Sequence, residues 1–130
     1  MQENQLFEYS IIRVVPRVER EEFLNVGVIL YCRDMKFLDM RYTIDEKRIH
    51  GFCKDLDLQE LKEHLVAYEN ISKGNATGGP IAKLDLSSRF RWLTATRSTI
   101  VQSSKVHPGL CKDPKKTLEL LFERLVLIDN

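Results

Sequence analysis

Apolar and polar residues alternate with a period of two from Phe7 to Val15, with Phe7, Tyr9, Ile11 and Arg13 on one side and Glu8, Ser10, Ile12 and Val14 on the other. That period predicts a strand, and Pro16, which has no N–H to donate to a ladder, ends it. A charged connection from Arg17 to Glu22 leads into Phe23–Cys32. There Leu24, Val26, Val28, Leu30 and Cys32 fill one face, and Phe23, Ile29 and Tyr31 occupy much of the other, the pattern of a central strand covered on both sides. Gly27 inside that run has no side chain to pack, so it predicts a bulge or the close approach of another backbone. Arg33-Asp34-Met35 turns the chain into a third strand over Lys36–Tyr42, where Leu38, Met40 and Tyr42 alternate with Phe37, Asp39 and Arg41. Three strands joined by short connections predict an antiparallel meander.

The period then lengthens. Asp45 is placed to cap a short helix carrying Ile49, Phe52 and Cys53, and Asp57 with Glu60 three residues on forms a capping-box pattern for a longer one. Leu58, Leu61, Leu65 and Tyr68 share one face of that helix opposite a charged face, as suits a helix lying on a sheet. Turn formers concentrate in Ser72–Pro80, which predicts a mobile loop. Ser87 or Ser88 is expected to open one helical turn through Leu93, Ser98–Gln102 reads as a fourth strand, and His107-Pro108-Gly109 reads as a rigid turn with the imidazole bonding backbone. Asp113 followed by Pro114 is a helix start, because Asp caps free N–H groups and Pro at the first position loses no hydrogen bond. Leu118, Leu121, Phe122, Leu125 and Ile128 form the apolar stripe of this last helix. The order β-β-β-α-α-(α)-β-α predicts an α+β fold: a small antiparallel sheet of about four strands with helices packed on it.

Composition narrows the class. At 130 residues the chain has room for a single domain over 1–130, and 43% apolar with 30% charged residues excludes collagen-like and low-complexity readings. The longest apolar run, Val26–Cys32, is far short of the roughly 20 residues of a membrane span. Met1–Gln5 lacks the basic start and apolar stretch of an export signal, so a cytoplasmic protein is expected. Cys32, Cys53 and Cys111 are scattered, with no Cys-x-x-Cys pair, and are expected as reduced, partly buried thiols. No His, Cys or acidic set stands at chelating spacing, so neither a metal nor a cofactor is expected.

A net charge of +1 conceals a polarised chain. Lys83–Lys116 holds eight Lys or Arg against Asp85 and Asp113, an excess of +6 that leaves the remainder at −5. Within it Arg89, Arg91 and Arg97, with the hydroxyls of Ser98 and Thr99 and with His107 nearby, supply the donors that a phosphate or carboxylate requires, since guanidinium forks bind oxyanions bidentately. The competing reading packs Phe90 and Trp92 in the core and leaves the arginines solvated or paired with acids. Nucleic acid would use the same cations with Trp92 or Phe90 stacking on a base, although no recognition motif accompanies them and the pI of about 7.7 is low for such a binder. Lys115 and Lys116 begin the last helix, where the dipole disfavours cations. His107 has no assigned carboxylate or nucleophile partner, Ser98 and Ser103 lack a nucleophile-elbow context, and Gly78-Gly79-Pro80 has no following Lys-Ser/Thr. An enzyme is therefore not the expected reading.

Tyr9–Arg13, Phe23–Leu30, Arg89–Ala95, Arg97-Ser98-Thr99, Val106–Leu110 and Asp113-Pro114 together resemble the bacterial domain-of-unknown-function 3037 family, over nearly the whole chain. The family has no established activity and no catalytic residues to carry over. Its members often look like companions of HipA-like kinases in bacterial gene neighbourhoods, and the resemblance implies an accessory role related to toxin–antitoxin systems, with a kinase-like protein partner. On this basis the expected function is a small interaction module whose positive patch engages an anionic group. A nucleic-acid-binding or nucleic-acid-processing protein using the same patch is the alternative. No membrane partner is expected, and an uncovered edge strand leaves self-association open.

Overall fold

The computed structural model describes residues 4–97 and 99–127. Five strands, β1 (Gln5–Val14), β2 (Leu24–Cys32), β3 (Phe37–Tyr42), β4 (Val101–Ser103) and β5 (His107–Cys111), form one antiparallel sheet. The helices are α1 (Glu46–Phe52), α2 (Leu58–Lys73), α3 (Leu86–Leu93) and α4 (Pro114–Leu125). The fold is α+β, and the meander β1-β2-β3 runs antiparallel as its short connections require.

β1 is the axis of the sheet. β2 pairs with one flank, while β4 and β5 share the other, β4 against Ile12–Val14 and β5 against Gln5–Tyr9. The break between them is closed by two buried serines. Ser10 Oγ donates to the carbonyl of Ser104 at 2.7 Å, and the N–H of Ile11 donates to Ser104 Oγ at 2.8 Å. These bonds satisfy groups that a missing ladder rung would leave orphaned.

Gly27 combines both features anticipated for it. The register steps from Ile12↔Gly27 to Arg13↔Asn25, leaving Val26 as the extra residue of a bulge. A Cβ on Gly27 would lie 2.8 Å from the carbonyl oxygen of Arg41 and 2.9 Å from Cβ of Tyr42. The neighbouring strand fits only because that position is bare.

Four boundaries differ from expectation. His107-Pro108-Gly109 is not a turn but the start of β5. Pro108 stands on an edge strand, where a sheet tolerates the lost donor, and Gly109 lies beneath the ring of Phe7, 2.5 Å from where a Cβ would sit. β4 starts at Val101, later than expected, and Ser98 lies outside the described residues. Asp85, not Ser87 or Ser88, caps α3, its carboxylate accepting from the N–H of Ser88 at 2.7 Å. The stretch read as a mobile loop carries the last turn of α2 and two 3-10 turns, Ala76–Gly78 and Pro80–Lys83. Asp45, Asp57 and Asp113 cap α1, α2 and α4 as their spacing predicts.

The sheet lies between two helical layers. On one face α1, α2 and α3 bring Ile49, Leu61, Leu65, Tyr68, Phe90 and Leu93 onto Ile12, Val14, Ile29, Tyr31, Leu38 and Met40. On the other, α4 alone sets Leu118, Phe122 and the following Val126 on Phe7, Val28, Leu30, Cys32 and Cys111. α4 packs chiefly against β2 and β3. Its C-terminal carbonyls are pinned, Leu125 O by Asn25 Nδ2 at 3.1 Å and Val126 O by Arg48 Nη1 at 2.7 Å.

Candidate functional site

The three arginines of the basic segment do not converge. Residues two apart on a helix point to nearly opposite sides, so α3 turns Arg89 inward and Arg91 outward. Arg89 is buried at 9% exposure, and its Nη1 donates to the carbonyls of Ile71 and Ser72 at 3.1 and 3.3 Å. These are among the last carbonyls of α2, which the helix cannot satisfy itself and whose dipole favours a cation. Gly74 follows in the left-handed region at φ 70°, and a Cβ there would lie 2.7 Å from Arg89 Nη1. Arg89 is thus an internal cap of α2.

Arg91 meets Glu8 of β1 as a bidentate pair, 3.0 and 2.8 Å, beside a cleft of about 480 Å³ that also involves Leu6, Tyr31, Arg33 and Ser87. The guanidinium of Arg97 lies over Trp92, 4.1 Å from the ring centroid, and donates to the carbonyl of Trp92 and to Tyr68 Oη, the latter at 3.2 Å. Burial pushes the Tyr68 hydroxyl pKa up, against the pull of the Arg97 charge. Thr99 Oγ1 donates to the carbonyl of Val101 at 2.6 Å, closing a local turn. His107 is opposite Tyr9 in register, their rings 5.2 Å apart. Because Glu8 and Tyr9 are consecutive on a strand, their side chains leave on opposite faces, and so His107 is separated from Arg91 by the sheet. The +6 segment is likewise divided between α3 on one face and the start of α4 on the other.

A different surface does come together. On the α4 face, the half of the sheet beyond that helix exposes a shelf along β1, made by Tyr9, Ile11 and Arg13 with His107 and Gln102 beside them. At its end the loop into β2 contributes Phe23, 44% exposed, and Val18, 42% exposed. The guanidinium of Arg13 lies 3.9 Å over the ring of Phe23, a contact in which the cation is attracted to the ring face. Arg13 forms no ion pair among the described residues, and its buried Nε has no partner. Burial pulls its pKa down. A cleft of about 300 Å³ runs beside it, bounded by Val15, Val18, Glu21, Phe23 and Gln102.

The alternation of β1 already placed Tyr9, Ile11 and Arg13 together, and Arg13 was visible as a cation within an apolar strand. What the sequence could not show is that α4 stops short of them. Among the described residues no three His, Cys, Asp or Glu side chains gather as a metal-binding group, and Cys32, Cys53 and Cys111 are unbridged. No described helix is long and apolar enough to cross a membrane.

The family model described as protein of unknown function DUF3037 matches residues 9–126, most of the chain. The chain belongs to this family. No curated protein and no solved structure matches it. The DUF3037 match takes in every residue of the shelf, from Tyr9 to His107, and begins one residue after Glu8.

Proposed function

We propose that this DUF3037 chain is a docking module for a protein partner, which seats on the shelf beside α4 through apolar side chains flanking a carboxylate or phosphate. The observation that carries this reading is the Arg13–Phe23 stack: an aromatic ring 44% exposed, holding a cation that forms no ion pair among the described residues. Interface cores are enriched in aromatic residues and Arg, and the residues that dominate binding are of these types. An anionic group brought in by a partner would compensate Arg13 in a setting partly shielded from water. The positive patch anticipated around Arg89, Arg91 and Arg97 is thereby moved to Arg13. The family resemblance makes a HipA-like kinase the first partner to test, in a toxin–antitoxin-related setting in the bacterial cytoplasm.

The test is capture of that kinase by the tagged wild-type chain and by Phe23→Asp and Arg13→Glu, with melting temperatures measured in parallel. Loss of capture with melting unchanged supports the reading. Undiminished capture by both variants overturns it. Recovery of nucleic acid instead, with an affinity falling steeply as salt rises, points to the alternative of a nucleic-acid binder.

A further inference from the structure

The loop between β1 and β2 has two sides. Val18, Glu21 and Phe23 border the shelf cleft, while Arg17, Arg20 and Glu22 turn to a second cleft of about 420 Å³. The opposite wall of this second cleft is the end of α1, with Gly51 and Phe52, and the start of the connection to α2, with Lys54. The split follows from local backbone: a 3-10 turn at Val18–Arg20 ends on Glu21 in the left-handed region at φ 56°, which reverses the chain.

Charge on the two walls is unequal. Arg20 is engaged by Glu22, whereas Arg17 and Lys54 form no ion pair among the described residues. With Asp55 also present, three cations face two carboxylates. Phe52 supplies an apolar wall at 37% exposure, and a Cβ on Gly51 would meet nothing within 4 Å, so the cleft is open above it.

We propose that this cleft binds a phosphomonoester attached to an organic body that packs on Phe52. A phosphomonoester carries roughly −1.5 to −2 charges near neutral pH and three acceptor oxygens, enough for Arg17 and Lys54 on facing walls to be held against the opposing charge of Asp55, which a single carboxylate would match less well. The volume falls within the roughly 300–1,000 Å³ of small-molecule sites and leaves room beside the anion for an organic body against Phe52. Two sources carry this chemistry, a free nucleoside monophosphate and a phosphorylated side chain of a protein.

Calorimetric titration of the full chain with a nucleoside 5′-monophosphate, and separately with a phosphoserine peptide bearing an apolar neighbour, tests the assignment and tells the sources apart. Saturable binding of either is expected, weakened about tenfold or more by Arg17→Ala combined with Lys54→Ala. Gly51→Glu, which puts a carboxylate into open space, is expected to abolish it, while Lys116→Ala on α4 leaves it unchanged. Absence of binding by both probes overturns the proposal, as does binding indifferent to the Arg17, Lys54 and Gly51 variants. Phe23→Asp separates the two surfaces: it should remove partner docking at the shelf and spare the phosphomonoester.

Discussion

Three helices close one face of the sheet, and a single helix half-covers the other. On the three-helix side even the charged Arg89 is drawn in, its Nη1 donating to the end of α2 while its buried Nε has no partner among the described residues, and Arg97 lies over Trp92. On the α4 side a comparable cation, Arg13, is left on a partly exposed ring and forms no ion pair among the described residues, although Glu21 lines the same cleft. The contrast shows that a cation count along the chain says little about where charge is available. Availability depends on which arginines are engaged as caps, by backbone carbonyls or in ion pairs.

The two faces should respond differently to truncation of an aromatic. Phe90, fully buried on the three-helix side, is expected to cost about 3–5 kcal/mol as Phe90→Ala, read as a lower midpoint in denaturant. Next comes the joint between β2 and β3. Gly27→Ala would force a Cβ against Arg41 and Tyr42 and should cost about 1–3 kcal/mol by the same measurement. Arg89→Met keeps an apolar stem like that of the arginine but strips two carbonyls of a donor; a loss of about 1–3 kcal/mol is expected, together with faster amide exchange at the C-terminal end of α2. A neutral Arg89→Met would mean that the arginine is not a cap.

Smaller effects belong to the exposed groups. Arg91→Ala removes an ion pair whose arginine is about half exposed, so thermal unfolding should change by no more than about 1 kcal/mol. Phe23→Ala on the shelf should alter stability by about as little and show itself only in partner capture. If Phe23→Ala destabilised the chain as strongly as Phe90→Ala, the two faces would not differ in the way described.

Much of the fold was legible because local signals agreed. The alternation of Phe7–Val14, the doubly apolar β2 and the three Asp caps at Asp45, Asp57 and Asp113 each named an element that forms. β5 was hidden by its own residues. Pro108 and Gly109 read locally as a turn, and only pairing with Glu8 and Phe7, about a hundred positions away, makes them a strand. That the arginines of the basic segment do not converge was hidden for a related reason. Spacing along the chain placed Arg89 beside Arg91, whereas the helix separates them by half a turn. Arg13 reads in the sequence as one of several cations, with Arg17 and Arg20, that could join the positive surface or pair with Glu19, Glu21 and Glu22, and nothing local reveals that α4 leaves it uncovered.

The placement of β1 bears on how the molecule comes to exist. During synthesis the hairpins β1-β2-β3 leave the ribosome with one flank of β1 unoccupied, and the strands that fill it, β4 and β5, begin only at Val101. At roughly 5–20 residues per second, that flank waits for several seconds as a bare row of backbone donors and acceptors. A nascent chain of this kind is exposed to pairing with another copy of itself, so its yield in the cell should depend on translation rate and on chaperones more than its final stability suggests.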